Sequence, residues 1–154
     1  MKQCDNETIQ LYLAITEYWQ AVLFAVIYKL MSEKAKILVI EDDLYTRDLY
    51  IEVLNGAGYE VVAAVDGEEG VLKASEGGYN LILLDVMMPK MNGLEVLKAL
   101  KEKPPQKQNG PVVLLTNLAH DPVIKEALEL GAKNYLIKSD MDPAQLLNKI
   151  KSYL

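Results

Sequence analysis

Five short apolar runs, at residues 37–40, 59–65, 81–84, 111–115 and 134–137, are separated by stretches with helical spacing. This alternation constrains the chain more than any other feature. Short apolar runs bounded by Gly and Pro read as strands, and strands that alternate with helices build a parallel sheet covered on both faces. Every parallel strand ends on the same side, where open α/β sheets hold their ligands. The third run, Leu81-Ile82-Leu83-Leu84, finishes in Asp85, and the first runs into Glu41-Asp42-Asp43. The fourth ends in Thr116-Asn117 and the fifth in Lys138-Ser139. A lone Asp after a strand is ordinary turn chemistry. Acids from two strands, a hydroxyl from a third and a cation from a fourth predict one crevice holding Glu41, Asp42, Asp85, Thr116 and Lys138. Like charges gathered that closely need a cation or have a function.

The helices between the strands carry their own punctuation. Asn55-Gly56-Ala57-Gly58 closes a helix over 44–54, and Gly77-Gly78 a short one over 68–75. Asn92 is placed to cap a helix over 94–101, which Pro104-Pro105 stops. Asp121-Pro122 and Asp142-Pro143 are cap-plus-proline starts for the last two helices, the second running over 144–154.

Residues 1–33 differ from the rest of the chain. The segment 9–31 is mostly apolar and aromatic, with Tyr12, Tyr18, Trp19, Phe24 and Tyr28, and is just long enough to span a bilayer. Lys29, Lys34 and Lys36 lie at and beyond its end, so a single span would leave the main domain in the cytoplasm. Against a span, Glu17 and Gln20 interrupt the run, and a carboxylate near the centre costs about 2.5–3.5 kcal/mol. Asp5 and Glu7 stand where a signal peptide is basic. Three readings stay open: a membrane-associated helix, a helix packed on the domain or a partner, and unselected upstream sequence with Met31 as the initiator.

Composition narrows the function classes. Net charge is −6, which argues against direct nucleic-acid binding. One Cys, Cys4, excludes an internal disulfide framework and fits a reducing cytoplasm, and one His, His120, excludes a histidine-rich metal site. Oxygen ligands remain, which suit Mg²⁺ or Ca²⁺. A carboxylate paired with a divalent cation can act as a nucleophile toward phosphorus. Lys138 and Thr116 could then meet the phosphoryl oxygens.

Residues 34–154 resemble a response-regulator receiver domain of two-component signalling. The motifs are Val39-Ile40-Glu41-Asp42-Asp43, Leu84-Asp85-Val86-Met87-Met88-Pro89-Lys90-Met91-Asn92-Gly93, Leu115-Thr116 and Tyr135-Leu136-Ile137-Lys138. The resemblance implies a flavodoxin-like, doubly wound sheet of five parallel strands in the order 2-1-3-4-5, the class the chemotaxis receiver illustrates. It implies that Asp85 accepts a phosphoryl group from a histidine kinase or phosphotransfer protein. It implies Mg²⁺ bound by Asp42, Asp85 and the backbone carbonyl of Met87, with Glu41 acting through water. Thr116 and Lys138 would contact the phosphoryl group, and Tyr135 would be the aromatic that reports the state of Thr116. The expected protein is a stand-alone switch that acts on a downstream protein, as a monomer or a phosphorylation-linked dimer, with membrane contact only through residues 9–31.

The sequence also departs from the family. Ser139 succeeds Lys138 where the family usually has a proline, often after a cis bond. A cis bond without proline costs about 3–4 kcal/mol, so a trans bond is expected. Asn117 is larger than is common there and would narrow donor access. Met87 and Leu118, two residues after Asp85 and Thr116, cannot orient a hydrolytic water, so self-dephosphorylation should be slow. Two other functions fit less well. A receiver-fold scaffold without phosphate leaves the acidic set unexplained. A Mg²⁺-dependent phosphohydrolase of the haloacid-dehalogenase kind needs a second Asp where Met87 stands.

Overall fold

The structure is a computed structural model that describes residues 6–32, 34–117 and 122–154, and for 6–9, 11–13 and 28–32 the backbone alone. It divides into two compact units, Met1–Glu33 and Lys34–Leu154. In the first, α1 (Asn6–Ser32) is a single helix; among its described side chains Tyr18, Trp19, Leu23 and Phe24 are exposed. Among the described residues no helix is long and apolar enough to cross a membrane.

The second unit alternates strand and helix throughout: β1 (Lys36–Ile40), α2 (Leu44–Gly56), β2 (Glu60–Ala64), α3 (Gly67–Glu76), β3 (Leu81–Asp85), α4 (Gly93–Glu102), β4 (Val112–Thr116), α5 (Pro122–Glu129), β5 (Asn134–Ile137) and α6 (Pro143–Lys151). The five strands are parallel in the order β2-β1-β3-β4-β5, as expected. Because each strand is buried on both faces, its sequence is a continuous apolar run. Alternate residues serve opposite faces. Leu38, Ile40, Ile82, Leu84 and Leu114 pack with Ala74 of α3, Val96 and Leu97 of α4 and Ala127 of α5. Ile37, Val39, Leu81, Leu83, Val113 and Leu115 pack with Tyr50 and Leu54 of α2 and Leu146 and Ile150 of α6.

The helix boundaries are set by capping. Asn92 and Asp142 each form a reciprocal capping box, with Glu95 and Gln145. The expected cap Asp121 lies outside the described residues. Helix α2 runs two residues beyond expectation, through Gly56, and the chain turns at Gly58, where φ is +92°. Helix α6 stops three residues earlier than expected, at Lys151, where the Ser152 hydroxyl donates to the Lys149 carbonyl. No peptide bond among the described residues is cis, so Lys138–Ser139 is trans. There the chain turns through a short 3₁₀ helix, Lys138–Asp140, that the sequence did not signal.

Candidate functional site

Three of the four strand ends combine at one crevice. β3 ends on Asp85, Glu41 comes directly after β1 and Lys138 after β5, while β4 ends on Thr116. Glu41, Asp85 and Thr116 are the buried polar residues among those described, at 0%, 4% and 2% exposure. Carboxylate oxygens of Glu41, Asp42 and Asp85 lie within 4.8 Å of one another. The Lys138 ammonium reaches both buried acids, 2.7 Å from Glu41 Oε2 and 3.1 Å from Asp85 Oδ1. These residues, with Met87, Asn117 and Ser139, line a cleft of about 480 Å³.

The electrostatics are unbalanced. Burial pushes the Glu41 carboxyl up from its ordinary value, and the Lys138 contact only partly opposes this. Asp85 is likewise raised, by burial first, with Lys138 and the Met87 backbone N–H pulling the other way. That N–H lies 3.4 Å from Asp85 Oδ1. One ammonium thus faces two buried carboxylates, and Glu41 Oε1 has no hydrogen-bond partner. A buried oxygen in that condition is costly. Three hard oxygen donors and an unsatisfied carboxylate oxygen are what Mg²⁺ takes, usually with waters completing its shell. The donor set fits that ion.

The sequence-predicted residues divide clearly. Glu41, Asp42, Asp85 and Lys138 come together. Thr116 is buried at the end of β4, one position beyond the Asp85–Leu115 pair. Tyr135 is half-buried on β5, paired in register with Leu114, and packs on the α3, α4 and α5 side of the sheet. Met87 presents its backbone to Asp85 while its side chain is 64% exposed. Asp43, the third acid of its run, is instead the N-cap of α2, accepting from Thr46 N at 2.8 Å. That contact holds its carboxyl below the ordinary value. Asn117 stands at the cleft wall. Leu118, His120, Cys4 and Asp5 lie outside the described residues.

Three further contributors carry little signal in the sequence. Arg47, one turn into α2, donates to the carbonyls of Glu41 at 2.9 Å and Asp42 at 3.1 Å, fixing the acidic loop. Its place soon after the acidic run is the available signal. Tyr50 lines the cleft from α2, its hydroxyl pushed up to about 12 by burial and by the fields of Glu41 and Asp85. Gly93 starts α4 so close to β3 that a Cβ there would sit 2.6 Å from the Asp85 carbonyl oxygen. Only the run of residues around Asn92-Gly93 hints at this.

A 2-1-3-4-5 parallel sheet with its polar pocket at the carboxyl ends of the strands defines a flavodoxin-like domain. The family model described as response regulator receiver domain matches residues 37–151, and the chain belongs to that family. It is 37% identical over 122 residues to the chemotaxis protein CheY of Treponema pallidum, covering 77% of this chain and 82% of that one. It is 41% identical over 123 residues to the transcriptional regulatory protein YkoG of Bacillus subtilis, covering 79% of this chain and 52% of the relative. The structure resembles that of the chemotaxis protein CheY4 of Vibrio cholerae with a TM-score of 0.69 and 32% identity, over 79% of this chain and 100% of that one. Against transcriptional regulators such as YkoG, the chain spans about half the relative's length.

Proposed function

We propose that the chain is a phosphoacceptor switch, taking a phosphoryl group on Asp85 from a phosphohistidine of a kinase or phosphotransfer protein. The observation that carries this reading is the placement of Asp85, buried at a strand end, within reach of Lys138 and beside Glu41 and Asp42. Asp42, Asp85 and the Met87 carbonyl would hold Mg²⁺ directly, and Glu41 would act through water. When bound, the ion supplies positive charge that offsets repulsion between carboxylate and incoming phosphate.

The chain's own groups do the rest. An Asp85 carboxylate oxygen forms the new bond to phosphorus as the phosphorus–nitrogen bond to the donor imidazole breaks, and the imidazole keeps that electron pair. Lys138 moves from compensating two carboxylates to binding a phosphoryl oxygen. The Thr116 hydroxyl donates to another oxygen, which draws the end of β4 inward and frees space for Tyr135. The product is a signalling state rather than a released substrate.

The cleft mouth fits a helical donor. Leu44, Tyr45 and Leu49 of α2 and Met87 opposite are exposed apolar side chains, Tyr45 at 83%. Together they offer an apolar rim on which a phosphohistidine-bearing helix can dock, with the reactive group over Asp85. The setting proposed is the cytoplasm, and the output is contact with a downstream protein.

The test is a small-molecule acyl phosphate donor with and without Mg²⁺, followed by beryllofluoride titration monitored by NMR. Mg²⁺-dependent labelling, and shifts at Thr116 and Tyr135 on beryllofluoride, are expected. Absence of both would leave a receiver fold that works without phosphate.

A further inference from the structure

Glu41 is the more enclosed of the two buried acids, with no exposed surface. Its compensation at rest comes from Lys138, 2.7 Å from Oε2, while Oε1 has no hydrogen-bond partner among the described residues. The donors close by are turned elsewhere. The Arg47 guanidinium meets the backbone carbonyls of Glu41 and Asp42, not the carboxylate. The Met87 N–H serves Asp85, and the Ser139 hydroxyl donates to Asp140 Oδ1 at 3.1 Å. In the proposed transfer Lys138 turns to a phosphoryl oxygen, and Glu41 loses the cation beside it. An uncompensated buried charge is strongly destabilising.

Tyr50 is a neutral donor placed to meet that loss. Thr46, Leu49 and Tyr50 line the cleft from one face of α2, at the helical spacing of three and four residues. Helical side chains lean toward the amino end of their helix, and α2 begins at Leu44, beside the acidic run. The ring of Tyr50 therefore leans toward the acids. It is only 7% exposed and shares an apolar layer with Val39 and Leu54, which holds its direction. Its hydroxyl takes part in no hydrogen bond among the described residues. Of the two buried acids, Glu41 acts on it the more strongly. Pushed up to about 12, the hydroxyl keeps its proton throughout the neutral range and stays a donor. A buried hydroxyl without a partner destabilises a fold, and Phe would fill the same space without that penalty. The cleft, at about 480 Å³ and lined by charged groups, has room for a bridging water.

We propose that Tyr50 is a positioning residue whose hydroxyl replaces Lys138 at Glu41, reaching the carboxylate through a water when the lysine turns to the phosphoryl group. The proposal rests on Asp85 being the acceptor. The water accepts from Tyr50 and donates to Glu41, which stays ionised and in place while Lys138 is away. At rest Lys138 compensates Glu41 without help, so the hydroxyl matters little until the phosphoryl group arrives.

Tyr50→Phe keeps the ring and removes the oxygen. The full chain and this variant are titrated by NMR with Mg²⁺ alone, then with beryllofluoride, which stands in for the phosphoryl group, at saturating Mg²⁺. The variant should bind Mg²⁺ within about two-fold of the wild type and beryllofluoride about ten-fold more weakly. In a Glu41→Gln background, where no carboxylate needs the donor, the same change should weaken beryllofluoride binding by less than about two-fold. Equal beryllofluoride affinity of Tyr50→Phe and wild type would overturn the proposal, since a tyrosine that only fills space is replaced by phenylalanine without loss. So would an equal loss toward Mg²⁺ alone, which would tie the hydroxyl to the resting site, or an undiminished loss in the Glu41→Gln background. A wild type that binds Mg²⁺ and takes no beryllofluoride would overturn the acceptor reading itself, and the role of Tyr50 with it.

Discussion

Lys138 Nζ lies 2.7 Å from Glu41 Oε2, closer than its 3.1 Å approach to Asp85. The lysine is thus the counter-ion of a carboxylate that is not the proposed acceptor, and it partly compensates both buried acids by lying within reach of each. Lys138→Met leaves both acids without that charge. Breaking a buried ion pair by removing one partner costs about 3–5 kcal/mol. Urea unfolding at neutral pH without Mg²⁺ should show a loss of that order, partly recovered when Mg²⁺ is added. A loss under about 1 kcal/mol would mean that the lysine is not compensating them.

The two buried acids also set a pH dependence. The Glu41 and Asp85 carboxyls are raised above their ordinary values of 4.5 and 3.8, so the folded state holds protons that the unfolded chain has released. Their contribution to stability is complete below the unfolded values and is lost as pH rises through the raised ones. Asp43 and Glu69 are lowered and run the other way, contributing above their ordinary values and losing this as pH falls. Mg²⁺ binds the ionised carboxylates. Its stabilising effect should therefore be larger at about pH 7.5 than at about pH 5, and Glu41→Gln should flatten the difference. Thermal unfolding at both pH values, with and without Mg²⁺, measures this; an equal gain at both would contradict it.

Close packing of α4 on β3 predicts a cost for one methyl group. The Cβ of Gly93→Ala would meet the Asp85 carbonyl oxygen at 2.6 Å and Val86 Cα at 3.0 Å. Both are backbone atoms, so β3 and the start of α4 must move apart. A destabilisation of about 1–3 kcal/mol is expected, with slower phosphorylation. Gly56, in the last turn of α2, has nothing within 4 Å, and Gly56→Ala should be neutral or stabilise by up to about 1 kcal/mol.

Met87 stands exposed at the cleft and carries no group able to orient a water. The phosphorylated chain should lose its phosphate over minutes or longer, and Met87→Asn should shorten that time. A wild-type half-life of seconds, read by mass spectrometry after donor removal, would contradict the expectation.

The fold was legible because the strands are buried on both faces. Leu81 to Leu84 and Val113 to Leu115 are unbroken apolar runs for that reason, and Asn92 and Asp142 announce their helices through capping boxes. Most of the candidate site was legible too, since strand ends are set by topology. What escaped depends on distance across the fold. Asp43 closes the acidic run in the sequence, and its role as the cap of α2 shows only in the contact from Thr46 N. Arg47 reads as an ordinary helix residue until its guanidinium is seen on the carbonyls of Glu41 and Asp42. The 3₁₀ turn Lys138–Asp140 has no Gly or Pro to announce it.

The central claim is tested most directly by intact-mass spectrometry of wild type and Asp85→Asn after incubation with acetyl phosphate, with and without Mg²⁺. The expected result is one phosphoryl group on the wild type, dependent on Mg²⁺, and none on Asp85→Asn. Equal labelling of the two chains, or a wild type that stays unlabelled with this donor and with a phosphohistidine donor, would contradict Asp85 as the acceptor.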